Sequence, residues 1–221
     1  MSNAMSVETD PKTKLLKKLI STVMNDGFQQ LKMDDIAKVM SVSRATLYKN
    51  FSSKEEVIAG VVHVFIDYIE RLDERVSEEE EESFGIWYQQ LFEQSIMLVG
   101  RITDVFLAEL QSVYPALYDQ LKDTLTKREQ QILDFYRDGE NKGVFNAINA
   151  KFLLVQDNLV LREIITTKYL VVNQMTIQQV LWDYYQLKKI QLFKANKLSI
   201  VDDAKIGPAI DHFVDKFNRA L

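Results

Sequence analysis

The chain is 221 residues long and 47% hydrophobic, with seven glycines, three prolines and no cysteine. That composition excludes disulfides and thiolate-held metals, argues against strand-rich architecture, and leaves room for one large domain or a small one joined to a larger. The net charge of −5 is unevenly spread: residues 11–54 carry nine Lys/Arg against three Asp/Glu, a net of +6, so the remainder carries −11. A basic head on an acidic body suits attraction to phosphate at one end only. No run approaches the roughly 20 apolar residues that a membrane-spanning helix requires. No secretory leader is evident either, and a cytoplasmic location is expected.

Met-Ser-Asn-Ala ahead of a second Met at position 5 reads as an expression scar, and residues 1–9 are set apart from the fold. Asp10 as N-cap and Pro11 at the first helical position open a helix. Leu15, Leu16, Leu19, Ile20, Val23 and Met24 recur along it at helical spacing, with Lys12, Lys14, Lys17 and Lys18 around them. Asn25-Asp26-Gly27 should end it, Gly27 serving as a left-handed cap. Phe28 and Leu31 are expected as core plugs.

Residues 31–54 read as two short helices joined by a tight turn. The first carries Ile36, Ala37, Val39 and Met40 as its apolar positions, Ser41-Val42-Ser43 makes the turn, and Ser43 can cap the second helix, residues 44–50. Leu47 and Phe51 lie four apart and can bury together, which leaves Arg44, Thr46, Tyr48, Lys49 and Asn50 on other faces. A short helix with polar and basic groups outward suits the DNA major groove. Ser53 and Glu56 match a capping box, opening a fourth helix with a stripe of Val57, Val61, Val64, Phe65, Tyr68, Ile69 and Leu72 to about Val76. His63 is read as lying in that stripe. The acidic run 78–82 reads as a solvated linker.

Further helices are expected over residues 84–99, 102–113, 116–137, 150–167, 175–194 and 206–220. Tyr114-Pro115 stops the second of these, Gly139 and Gly143 end the third, and Asn146 or Asn149 caps the fourth. Tyr169 to Val172 and Leu198 to Val201 are β-branched enough to be read either way. His63 and His212 lie far apart in sequence, and no Gly-rich phosphate loop or metal-ligand cluster accompanies them, so no enzyme, cofactor or metal is expected.

Asp35-Ile36-Ala37, Val42-Ser43, Thr46-Leu47-Tyr48, Phe51 and Lys54-Glu55 stand at the spacings of the TetR family of bacterial transcription regulators, which residues 10–60 resemble. The resemblance implies an all-α chain. A three-helix DNA-binding head with a helix-turn-helix (residues 10–54) would precede a larger helical bundle for effector binding and dimerisation (residues 55–221). It implies a ligand-responsive regulator, most simply a repressor released from a near-palindromic operator by a small molecule. Carried over by position, Arg44, Ala45, Thr46, Tyr48, Lys49 and Asn50 would face double-stranded DNA, and Lys54 would meet a phosphate. Arg44 is the candidate for bidentate contact with guanine, whereas Thr46, Tyr48 and Lys54 would position the backbone.

This sequence departs from the family at three places. Met33 stands where Thr often caps the second helix, so Asp34 is expected to cap instead, and its charge would repel phosphate there. Ser41 and Arg44 stand where Gly is common. The family's effector pocket among the central helices makes Trp87, Tyr88, Phe92, Phe106, Tyr114, Tyr118 and Phe135 candidate ligand-binding residues, with Tyr136 beside them, although aromatics at helical spacing also build cores. Glu93, Asp104 and Glu109 would suit a cationic compound. More than one apolar face on the helices near 152–164 and 180–192 suggests a homodimer through the late helices, with Ile210, Phe213, Val214, Phe217 and Leu221 lining the last. The competing reading is a helical protein-interaction module whose basic head binds an acidic partner.

Overall fold

A computed structural model of the chain describes residues 10–71, 81–99 and 101–220. Among them the architecture is all-α, with a single isolated antiparallel bridge between Phe145 and Phe193. The helices are α1 (Pro11–Asp26), α2 (Met33–Met40), α3 (Arg44–Asn50), α4 (Lys54–Glu70), α5 (Glu82–Val99) and α6 (Asp104–Val113). They continue as α7 (Pro115–Asn141), α8 (Ala150–Ile164), α9 (Thr167–Asn173), α10 (Ile177–Leu192) and α11 (Gly207–Ala220). Two 3-10 turns, Ala195–Ile200 and Asp203–Lys205, separate the last two helices.

Two compact units form. The first joins the residues up to 71 with 101–126, and the second joins 72–100 with 127–221. Helices α1–α4, α6 and the start of α7 thus pack together, so the first unit extends beyond residue 54. Its core is Leu19, Val23, Phe28, Ile36, Met40, Leu47, Val57, Val61, Phe106 and Leu110. These positions follow the helical period, and their burial is the main favourable term for elements as short as α2 and α3, which would not persist alone in water.

The second unit is built on aromatic packing. Phe145 meets Phe84, Phe135 and Phe193 edge-on, at centroid distances of 5.3, 5.1 and 4.8 Å. Gly139 permits this: a Cβ there would stand 2.1 Å from the Phe145 ring. The residue expected to end the long helix therefore lies inside it, and α7 runs on until Gly143 at φ +72°. Packing on the Gly139 side outweighs the glycine's cost to the helix.

Other boundaries moved for local reasons. Thr166 caps a new helix through its hydroxyl and Tyr169 N–H (3.1 Å), so α8 ends at Ile164 and the ambiguous Tyr169–Val172 stretch is helical. Leu198 falls in a 3-10 turn. Asn149, of the two candidates, caps α8. His63 is exposed rather than within the buried stripe of α4. Glu82 begins α5, while residues 78–80 of the acidic run, the expected end of the fourth helix at Val76 and the N-terminal segment lie outside the described residues. No helix among the described residues is long and apolar enough to cross a membrane.

Candidate nucleic-acid interface

Asp10 opens α1 by accepting from the Lys12 and Thr13 N–H groups at 3.3 Å. Gly27 follows the helix at φ +79°, ψ 178°, a conformation open to glycine but distinct from the expected left-handed cap. The reason lies 82 residues away. The Glu109 carboxylate of α6 fills the space where a Cβ on Gly27 would stand, 2.5 Å from that position. It accepts from the N–H groups of Phe28 at 2.5 Å and Gln29 at 2.9 Å. Phe28 itself is buried, edge-on to Phe106 at 5.9 Å and stacked on Tyr114 at 5.8 Å. The Thr103 hydroxyl donates to the Met24 carbonyl at 2.5 Å. The turn between α1 and α2 is therefore built by residues from the middle of the chain.

Capping of α2 differs from the expectation for Asp34. Asp35 is the residue that reaches back, accepting from the Lys32 N–H at 3.2 Å, because position three of the helix points its side chain at the cap. Asp34 instead faces α3, where the Arg44 Nη1 donates to its Oδ2 at 3.3 Å and the Arg44 Nε lies 3.2 Å from its Oδ1. Ser41 takes the left-handed conformation (φ 58°, ψ 47°), the position where glycine would be unstrained. Ser43 then caps α3 by accepting from the Thr46 N–H at 3.1 Å.

Helix α3 buries Leu47 completely and, one residue past its end, Phe51. Arg44, Ala45, Thr46, Tyr48 and Lys49 are exposed and Asn50 is half-buried. Asn50 donates to the Thr46 carbonyl at 2.8 Å, and the Arg44 guanidinium sits over the Tyr48 ring at 5.6 Å. The six residues thus occupy the solvent side of a helix anchored by two buried side chains. Lys54 opens α4, donates to the Gln29 carbonyl at 2.8 Å and lies 5.9 Å from the Phe28 ring centre. Burial lowers its pKa from the usual lysine value, and the Glu109 charge partly offsets this. Several other cations of the head are committed internally: Lys12 to Glu56 (3.4 Å), Lys18 to the Met40 carbonyl (3.1 Å) and Lys38 to Asp35 (3.6 Å).

The seven aromatic candidates fall into two sets, one in each unit. Phe106 and Tyr114 pack on Phe28, and Tyr118 shares the first unit with them under a cation contact from Lys122. Trp87, Tyr88, Phe92 and Phe135 belong to the second unit, among Phe84, Tyr136, Tyr184, Tyr185 and Phe193. Tyr88 donates to the Tyr185 carbonyl at 2.5 Å, and burial raises its pKa well above the usual tyrosine value. Around this cluster sit buried and half-buried polar groups: Lys188 pairs with Asp157 at 2.8 Å, Tyr184 donates to Asp157 at 2.6 Å, and Arg128 donates to Gln94 and to Ser95 (2.8 Å). None of the seven lines the open cleft of about 230 Å³ bounded by Leu133, Tyr136, Arg137, Glu140 and residues 148–151. Glu109, proposed from sequence for a cationic ligand, is occupied by the Phe28 and Gln29 N–H groups.

Sequence reasoning missed the hold of Glu109 on the α1–α2 turn, Thr103 and the Asp34–Arg44 pair. The first two carry no local signal, since their partners are 79 to 81 residues distant. The third had one: an acid at the start of α2 left over once Asp35 serves as the cap.

A short capped helix, anchored from beneath and polar outside, following a second helix across a three-residue turn, defines a helix-turn-helix protein. Residues 22–61 match the family model for bacterial regulatory proteins, tetR family, and over that segment the chain is similar to that family. Over 113 residues it is 26% identical to IcaR, the biofilm operon icaADBC HTH-type negative transcriptional regulator of Staphylococcus aureus, a match covering 51% of this chain and 54% of IcaR. The chain thus spans about half the length of the curated relatives it matches. Its fold is similar to the ketosteroid transcriptional regulator KstR2 of Mycobacterium tuberculosis, with a TM-score of 0.56 at 20% identity over 84% of this chain and 96% of that one. It is also similar to a putative fatty acid metabolism regulator of Clostridium perfringens, with a TM-score of 0.53 at 19% identity over 86% and 98%. At such identities the likeness speaks for the fold alone.

Proposed function

We propose that the chain is a homodimeric, one-component transcription regulator that represses from a near-palindromic operator and is released by a small molecule. In this reading residues 10–54 bind DNA in the cytoplasm, and residues 55–221 bind the effector and dimerise. The observation that carries it is the outer side of α3, where Arg44, Ala45, Thr46, Tyr48 and Lys49 are exposed around a fully buried Leu47. Arg44 would read guanine, Tyr48, Thr46 and Lys54 would hold phosphates, and Lys49 and Asn50 would border the groove. The role of IcaR as a negative transcriptional regulator supports repression rather than activation.

Dimerisation is supported by apolar side chains left uncovered on two helices. Phe152, Val155 and Leu159 on α8 are 66, 54 and 66% exposed, and Leu187 and Ile190 on α10 are 49 and 61% exposed. Ile210 and Phe213 of α11, by contrast, are buried within one copy. A two-fold pairing of α8 and α10 would place two heads about one DNA turn apart, ~34–36 Å. The effector is sought among Trp87, Tyr88, Phe92 and Phe135, whose surroundings supply both apolar surface and the Asp157, Lys188 and Arg128 charges. It must bind the DNA-competent and DNA-free states with different free energies.

A gel-shift titration on duplex from the chain's own promoter region, repeated across salt concentrations and with candidate ligands, tests the proposal. Salt-sensitive, sequence-selective binding is expected. Binding to an acidic protein, with no selectivity among duplexes, would instead favour an interaction module.

A further inference from the structure

The pairing of Asp34 with Arg44 goes beyond carrying recognition residues over by position, and rests on the proposed DNA-binding role. Arg44 begins α3 and is 67% exposed, so an unrestrained guanidinium there would sample many positions. Here it is held from two sides. The Asp34 carboxylate of α2 lies against Nη1 and Nε at 3.3 and 3.2 Å, and the Tyr48 ring lies beneath the guanidinium at 5.6 Å. Asp34 has this freedom because its neighbour Asp35 is engaged by the Lys32 N–H and Lys38. An exposed ion pair adds little to stability, so holding the fold is a poor account of Asp34.

We propose that Asp34 is the specificity-determining partner of Arg44, holding its guanidinium ready for one guanine and keeping it off the phosphate backbone. Two physical effects act together. A carboxylate that takes part of the guanidinium's donors leaves the remainder aimed outward, and the rotamer freedom that base contact would cost is already lost. The same negative charge repels phosphate, so the nearest alternative partner for Arg44, which offers no sequence information, is disfavoured. An acid on the DNA-facing side of a basic head thus trades general affinity for discrimination.

The test uses the 221-residue chain with Asp34→Ala, Asp34→Asn, Arg44→Ala and the Asp34→Ala/Arg44→Ala double variant. Each is selected on a randomised operator pool and titrated on selected and unrelated duplexes at fixed salt. Asp34→Ala should bind unrelated DNA more tightly than the wild type. Its specific-to-nonspecific ratio should fall by about tenfold, the scale of one modest bidentate base contact. The lost preference should fall on the base position that Arg44→Ala also loses, with no further loss there in the double variant. Asp34→Asn should lie between. A uniform gain in affinity with unchanged base preferences would overturn the proposal, as would a loss at a position Arg44→Ala leaves intact. Uniform loss in Arg44→Ala would also overturn it, by making Arg44 a phosphate contact. A wild-type chain showing no sequence-selective binding removes the DNA-binding role itself, a result separable from all of these.

Discussion

The outer side of α3 and the outer sides of α8 and α10 are both exposed, yet they are built from opposite chemistry. On α3 the uncovered groups are a guanidinium, a hydroxyl, a phenol and an ammonium, which lose little by facing water. On α8 and α10 they are Phe152, Val155, Leu159, Leu187 and Ile190, for which contact with water is unfavourable. Both helix types are otherwise anchored alike, by buried residues at helical spacing. The difference shows that exposure has to be read with chemistry: the first face suits a hydrated, charged partner, and the second suits an apolar one, such as its own copy.

The largest expected effect breaks the apolar face. Leu159→Glu combined with Ile190→Glu places charges where a second copy would pack, on positions solvent already reaches. Folded monomers are expected, identified by analytical ultracentrifugation with unchanged helical circular dichroism, and operator affinity should collapse with the lost second head. A wild-type chain that sediments as a monomer at micromolar concentration would end the dimer reading. Next comes Glu109→Ala, which leaves the Phe28 and Gln29 N–H groups without their acceptor. A stability loss of about 1–3 kcal/mol is expected in denaturant titration. Glu109→Gln, which keeps an acceptor oxygen, should lose less.

On the polar face, Arg44→Ala should cost about 1–3 kcal/mol of operator affinity and relax preference at one base position. Lys54→Ala should weaken binding to every duplex alike and lower the salt slope by about one unit. An unchanged slope would remove Lys54 from the phosphate contacts. The smallest effect concerns acid. Hydrogen bonds from the Ser52 N–H and hydroxyl, with help from Lys12, hold the Glu56 pKa below its usual value. Its contribution to stability is present above the usual glutamate range and is lost as pH falls through the lowered folded value. Glu56→Gln should flatten that part of the stability–pH curve, measured by thermal melts between neutral and acidic pH.

Most of the head could be read without coordinates, because its signals are local. Asp10-Pro11, Ser43 with Thr46, Ser53 with Glu56, and the Leu47/Phe51 pair each act over four residues or fewer. Even there the details shifted: Glu56 accepts from Ser52 rather than closing a box on Ser53, and Asp35 rather than Asp34 caps α2. The effector candidates were less legible. Aromatics at helical spacing look the same whether they line a pocket or fill a core, and only the fold sets Phe106 and Tyr114 against Phe28 and gathers Tyr88 and Phe135 into the other unit's ring cluster.

The sequence by itself determined the all-α class, the helix-turn-helix with its exposed residues on α3, and the concentration of positive charge in the head. Those follow from short-range capping, from the 3.6-residue period and from counting charges. Tertiary structure decided that Glu109 of α6 holds the turn between α1 and α2, that Gly139 sits inside a helix to admit Phe145, and that Asp34 faces Arg44. It also decided which late helices keep apolar groups uncovered. Each of these depends on groups that the fold brings together from different elements, and no local period or cap encodes such a meeting.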